Sequence, residues 1–126
     1  MLPNVQAALV SDGWTVKKGA ITIIKGNYQF FIDVSAGKDG QKVAIEVKSF
    51  LNNFVYDWHL ALGQYLTYTA LLFKLDPARV LYLAVPENIY TEHFQSEPFQ
   101  EFVELYSINL FIFNQDTKRV VAWKRP

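Results

Sequence analysis

An α/β fold, a mixed β-sheet flanked by helices, is what this sequence predicts, and three observations carry the prediction. Tyr28 to Val34 and Lys42 to Phe50 are β-prone, aromatic and β-branched runs separated by a glycine-rich turn. Val55 to Leu75 keeps helical apolar spacing throughout. Arg79 to Val85 is a nearly unbroken apolar run, the pattern of a central strand covered on both faces. Strands, then a long helix, then a buried strand imply a crossover packed on a sheet. The chain has 126 residues, 51% hydrophobic and 16% aromatic, which suits one domain over 1–126 with a substantial core.

The elements follow in order. Val5 to Val10 reads as the tail of a short helix, with Val5, Ala8, Leu9 and Trp14 facing inward and Gly13 as its stop. Trp14 to Lys17 alternates like a short strand, and Ala20 to Lys25 like an edge strand, before a turn at Gly26-Asn27. Tyr28 to Val34 is the next strand. Gly37-Lys38-Asp39-Gly40 forms a hairpin loop, with Asp39-Gly40 its tight turn. On the partner strand Val43, Ile45 and Val47 share one face, and Ala44, Glu46 and Lys48 the other. The helix from Val55 is apolar on more than one face, which predicts extensive burial; Asp76-Pro77 ends it. Ile89 to Tyr106 holds one or two short helices interrupted by Pro98, and Asn109 to Asn114 and Val120 to Trp123 are the last strands.

Composition narrows the chemistry. There is no cysteine, so disulfides and thiolate metal sites are excluded. His59 and His93 are the only imidazoles, so a metal site would rest on carboxylates, which suits Mg²⁺ or Mn²⁺ better than zinc. The formal net charge is zero, without the basic excess of a strong non-specific nucleic-acid binder. No apolar run reaches the ~18 residues of a membrane span, and no signal-peptide pattern opens the chain, so a cytoplasmic location is expected.

Asp33 and Glu46 each interrupt a hydrophobic strand. An ionised side chain is rarely buried there without a partner, because desolvation costs several kcal/mol per ion. Glu46 and Lys48, two residues apart, point to one face of their strand. Asp33 can meet Glu46 across the sheet. Two carboxylates, with the Val47 carbonyl as a third hard oxygen, would hold a divalent cation, and Lys48 would hold water or stabilise charge at phosphorus. Gln64 on the following helix would orient these groups, with Tyr68 one turn further along the same face. Each residue alone has a plainer role: a solvated ion pair for Glu46 and Lys48, a strand-end cap for Asp33, a satisfied amide for Gln64. Trp14, Trp58 and Trp123 read as packing, and Lys17-Lys18, Lys118-Arg119 and Lys124-Arg125 as solvated cations, with contact to phosphate as their alternative role.

Asp33 with Glu46-Val47-Lys48 resembles the core motif of the PD-(D/E)XK nuclease superfamily, the restriction-endonuclease-like fold, with Ile32 where a proline is usual. Gln64-Tyr65-Leu66-Thr67-Tyr68 resembles the Gln-x-x-x-Tyr motif of its RecB-like branch. More specifically, Ser11-Asp12-Gly13-Trp14, Ile45 to Phe50, Ala61 to Tyr65 and Leu81 to Pro86 are similar to the XisH proteins of cyanobacteria, the fdxN element excision controlling factors. That resemblance covers nearly the whole chain. The nuclease resemblance implies metal-dependent chemistry on DNA, with Asp33, Glu46, Lys48, Gln64 and Tyr68 as site residues. The XisH resemblance implies an XisI-like partner protein and a site-specific recombinase, in excision of a DNA element during heterocyst differentiation. Many nucleases of the superfamily draw a further acid from the N-terminal helix, yet the segment before Ala7 has none. Two functions are therefore expected to compete: a DNA endonuclease, acting as a homodimer to cut both strands, or a non-catalytic accessory factor. Phe54, Tyr56, Phe94 and Phe99 are the aromatics expected to offer a partner surface.

Overall fold

The computed structural model describes residues 1–126. Helix α1 (Leu2–Ser11) is followed by β1 (Thr15–Val16), β2 (Ile21–Lys25), β3 (Tyr28–Ile32), β4 (Val34–Lys38) and β5 (Gln41–Val47). The long α2 (Phe54–Leu75) crosses to β6 (Arg79–Pro86). A short α3 (Glu87–Ile89) runs into a π-turn (Tyr90–Phe94), then come α4 (Glu97–Leu105), β7 (Leu110–Asn114) and β8 (Arg119–Lys124). Six strands form one mixed sheet in the order β1-β4-β5-β6-β7-β8, and β2 and β3 form a separate two-stranded ribbon. The pairs β5–β6 and β6–β7 are parallel, and the outer pairs are antiparallel.

Two apolar clusters sandwich the sheet. One joins α1 (Val5, Ala8, Leu9) to Val43, Ile45, Tyr82 and Phe111. The other joins α2, the π-turn and the ribbon to Ala44, Leu81, Leu83 and Ile112. The period-2 alternation of β5 therefore divides as expected: odd residues face α1 and even residues face α2. Tyr65 ties the second layer together. Its hydroxyl donates to Leu81 O at 3.1 Å and accepts from Asn109 N–H at 2.9 Å.

Six expectations need correction. Tyr28 to Val34 is not one strand: β3 ends at Ile32, and after Asp33 the chain enters the main sheet as β4. The hairpin partner of β5 is accordingly β4, with Gly37 and Lys38 inside the strand and the turn confined to Asp39-Gly40. Strand β5 stops at Val47, because Phe50 adopts a left-handed backbone (φ 56) that turns the chain and buries its ring against Phe54 and Phe94. Helix α2 buries one face only (Trp58, Ala61, Tyr65, Tyr68, Leu71, Leu72), leaving Tyr56, Leu60, Leu66 and Phe73 in water. Pro98 opens α4 rather than breaking it, since its missing N–H is free of cost in a first turn. Of the four aromatics expected outside, only Tyr56 is well exposed; Phe94 is fully buried, and Phe54 and Phe99 are half-buried in edge-to-face contact with it.

Candidate functional site

The register of the β4–β5 hairpin builds the site. Val34 pairs with Ile45, so Asp33, one residue outside the ladder, arrives opposite Glu46. Asp33 Oδ2 accepts from Val47 N–H at 2.9 Å, and Glu46 Oε1 accepts from Asp33 N–H at 3.4 Å. Each carboxylate thus caps a backbone amide of the other's strand end, and the two acids are locked face to face. Lys48 Nζ stands 3.3 Å from Glu46 Oε2, the ammonium partly exposed and the carboxylate almost wholly buried. From the α2 side Tyr68 comes close enough to feel the charges of Glu46 and Asp33, and Gln64, one turn earlier, contacts Tyr68. Asp33, Glu46 and Lys48 therefore meet directly, Tyr68 lies within reach of their charges, and Gln64 joins them through Tyr68.

The electrostatics follow from burial. Glu46 lies 3% exposed, and desolvation, followed by the neighbouring Asp33 charge, pushes its carboxyl up to about 7 against the pull of Lys48. Tyr68 is raised by burial and then by the charges of Glu46 and Asp33, so its phenol stays protonated. Gln64 Oε1 is buried and accepts no hydrogen bond. A raised carboxyl beside a second carboxylate, with an orphaned acceptor on the neighbouring helix, marks a site short of positive charge. The donor set, two carboxylate side chains and the Val47 carbonyl, is hard oxygen, which fits Mg²⁺ or Mn²⁺ with water completing the shell. No group of three acidic or histidine side chains converges anywhere in the molecule, so the protein itself supplies few ligands. Helix α1 packs on the opposite face of the sheet from Glu46 and adds no acid to the site.

The remaining residues of note fall elsewhere. His59 is exposed on α2. His93 stacks on Phe54 with ring centroids 3.8 Å apart, a packing role. Trp14, Trp58 and Trp123 pack into the two aromatic clusters, as their positions suggested. Sequence reasoning missed a charged node at the other end of the same sheet face. There Asp76 bridges Lys42 Nζ at 2.6 Å and Arg79 Nε at 3.0 Å. Lys42 has the same strand parity as Glu46, which was the available signal.

An α/β protein with a carboxylate pair and a lysine at a strand end is the class that fold and site define. The sequence pattern of the XisH protein family matches residues 2–121, and the chain belongs to the XisH family. It is similar to the crystal structure of an XisH family protein from Nostoc punctiforme PCC 73102, at 33% identity and TM-score 0.91, over 97% of this chain and 96% of that one. It is equally similar to an fdxN element excision controlling factor protein from Anabaena variabilis, at 34% identity and TM-score 0.91, over 96% and 95%. No functionally curated protein matches the chain.

Proposed function

We propose that this chain is a metal-dependent phosphodiester hydrolase acting on DNA, a nuclease of the PD-(D/E)XK type that works in the excision of a DNA element. The observation that carries the reading is the face-to-face pair Asp33 and Glu46, with Lys48 bridged to the buried carboxylate. Asp33, Glu46 and the Val47 carbonyl would hold Mg²⁺ or Mn²⁺. Such a cation, when bound, neutralises phosphate charge and lowers the pKa of a bound water. The protein's own groups do the rest. Lys48 presents an ammonium to the attacking water or to the charge growing on the phosphoryl oxygens. Tyr68, kept protonated, is a donor toward the same space, and the free Gln64 oxygen can accept a hydrogen bond from an ordered water. Cutting both strands needs two such sites, and the exposed Tyr56, Leu60, Leu66 and Phe73 on the outer face of α2 form the surface on which two copies would pair. An XisI-like partner and a recombinase would then supply the site selection.

The test is Mn²⁺ titration by calorimetry on the wild type and on Asp33→Ala/Glu46→Ala, followed by plasmid nicking with the same samples. Binding lost in the variant, together with Mn²⁺-dependent nicking that Lys48→Ala abolishes, is the expected result. A second reading, a non-catalytic accessory factor, is favoured by the absence of any third acid or histidine at the site. Equal weak binding in both proteins and no nicking would select it.

A further inference from the structure

Two adjoining cavities open on the α2 side of the sheet, at the opposite end from Glu46. The larger, about 400 Å³, is lined by Lys17, Lys18, Ser35, Asp76 and Arg79 along with β2 and the end of α2. The smaller, about 230 Å³, shares Lys17, Ser35 and Arg79 and adds Lys42. Together they form one groove in which four cations face a single carboxylate. Asp76 is already shared by Lys42 and Arg79, while Lys17 and Lys18 pair with no acid. In a chain whose formal charge sums to zero, this is a local concentration of positive charge. Ser35, 3% exposed, puts a hydroxyl in the wall common to both cavities. The groove is fixed to the candidate site by short spans of strand. Ser35 lies two residues from Asp33 on β4, ~7 Å away, and Lys42 lies four residues from Glu46 on β5, ~13 Å away.

The β2–β3 ribbon stands between the two places. Lys17 to Ala20 lead into β2, which walls the groove, whereas β3 leads out to Asp33. The outward face of the ribbon carries Thr22, Ile24, Gln29 and Phe31, all exposed and uncharged. A two-stranded ribbon fits the major groove of duplex DNA, about 12 Å wide. The ~7 and ~13 Å spans along β4 and β5 keep the groove and the carboxylates within about one such width of each other.

We propose that the Lys17, Lys18, Lys42 and Arg79 groove binds a backbone phosphate of duplex DNA across the ribbon from the bond held at Asp33 and Glu46. The inference rests on the hydrolase reading for that bond, but the groove's own contact with DNA is measured without cleavage. In metal-free buffer, a fluorescein-labelled duplex of about 20 base pairs is titrated by anisotropy between about 50 and 200 mM salt, where phosphate contacts show as a slope of ~0.9 each. Lys17→Gln/Lys18→Gln, both exposed, should lower the slope by about 2 and the affinity roughly tenfold or more. Lys118→Asn, a left-handed position on the β7–β8 turn that asparagine accepts, should change neither. A slope unchanged by the double substitution, or an equal loss in Lys118→Asn, would overturn the proposal. So would a wild type that fails to bind the duplex, or inorganic phosphate competing as well as the duplex at equal phosphate concentration. Nicking with an unchanged slope sinks the groove alone. A changed slope with an intact plasmid sinks the hydrolysis alone.

Discussion

Replacing Glu46 by glutamine should make the protein more stable above neutral pH while destroying its site. Folding raises the Glu46 carboxyl from 4.5 to about 7, first by desolvation and then by the Asp33 charge. The folded state therefore holds a proton that the unfolded state has released. Unfolding free energy falls as pH climbs from the unfolded value through the folded one. A gap of roughly 2.5 pH units at 1.36 kcal/mol each amounts to about 3 kcal/mol, and the near-complete burial of the side chain leaves little solvent screening to reduce it. Glutamine keeps the shape and has no proton to lose. Urea unfolding of both proteins at pH values of about 4.5 and 8.5 reads the effect. The stability difference in favour of Glu46→Gln should grow by about 3 kcal/mol between them. Saturating Mn²⁺ at pH 8.5 should return about 2.7 kcal/mol to the wild type at a hundredfold excess over Kd, and nothing to the variant. A difference that stays constant with pH would refute the charge-deficient reading of the site.

Two further outcomes follow from neighbouring contacts. Tyr65→Phe should cost about 1–3 kcal/mol in urea unfolding, because Asn109 N–H loses its acceptor inside the second apolar layer; a cost near zero would mean that water replaces the hydroxyl. Gln64→Met removes an acceptor that is already unsatisfied, so stability should hold or rise slightly. Its Mn²⁺ affinity should fall roughly 10–100-fold, as for other groups that orient ligands, and undiminished affinity would place Gln64 outside the site.

The site was more legible in the sequence than the path of the chain that builds it. Glu46 and Lys48 interrupt an apolar run at period 2, and Asp33 lies one hairpin away, so their meeting follows from strand parity and turn position. Gln64 and Tyr68 share a helical face at spacing four. The break at Asp33 left no trace, because Tyr28 to Ile32 and Val34 to Ala36 are β-prone or small on both sides of it. What ends β3 there is the aspartate side chain itself, which takes the Val47 N–H. The end of β5 was hidden for a similar reason: a left-handed Phe50 has no local signature, and its place is set by the aromatic cluster that receives the ring. The outer face of α2 shows that periodicity reports which residues are apolar, not which are covered. The basic groove was invisible because Lys17 and Arg79 are distant in sequence and come together only through the sheet.

All five polar residues of the candidate site lie between Asp33 and Tyr68, on one uninterrupted stretch that runs from the strand junction through β5 into α2. The last three strands and α4 contribute walls and burial but no reacting group. In evolutionary terms the chain carries its candidate site as a cassette. Insertions, exchanges of loops or drift in the C-terminal third can reshape what the protein touches without re-aligning Asp33, Glu46, Lys48, Gln64 and Tyr68. Descendants are therefore expected to diverge in partners sooner than in the arrangement of these groups.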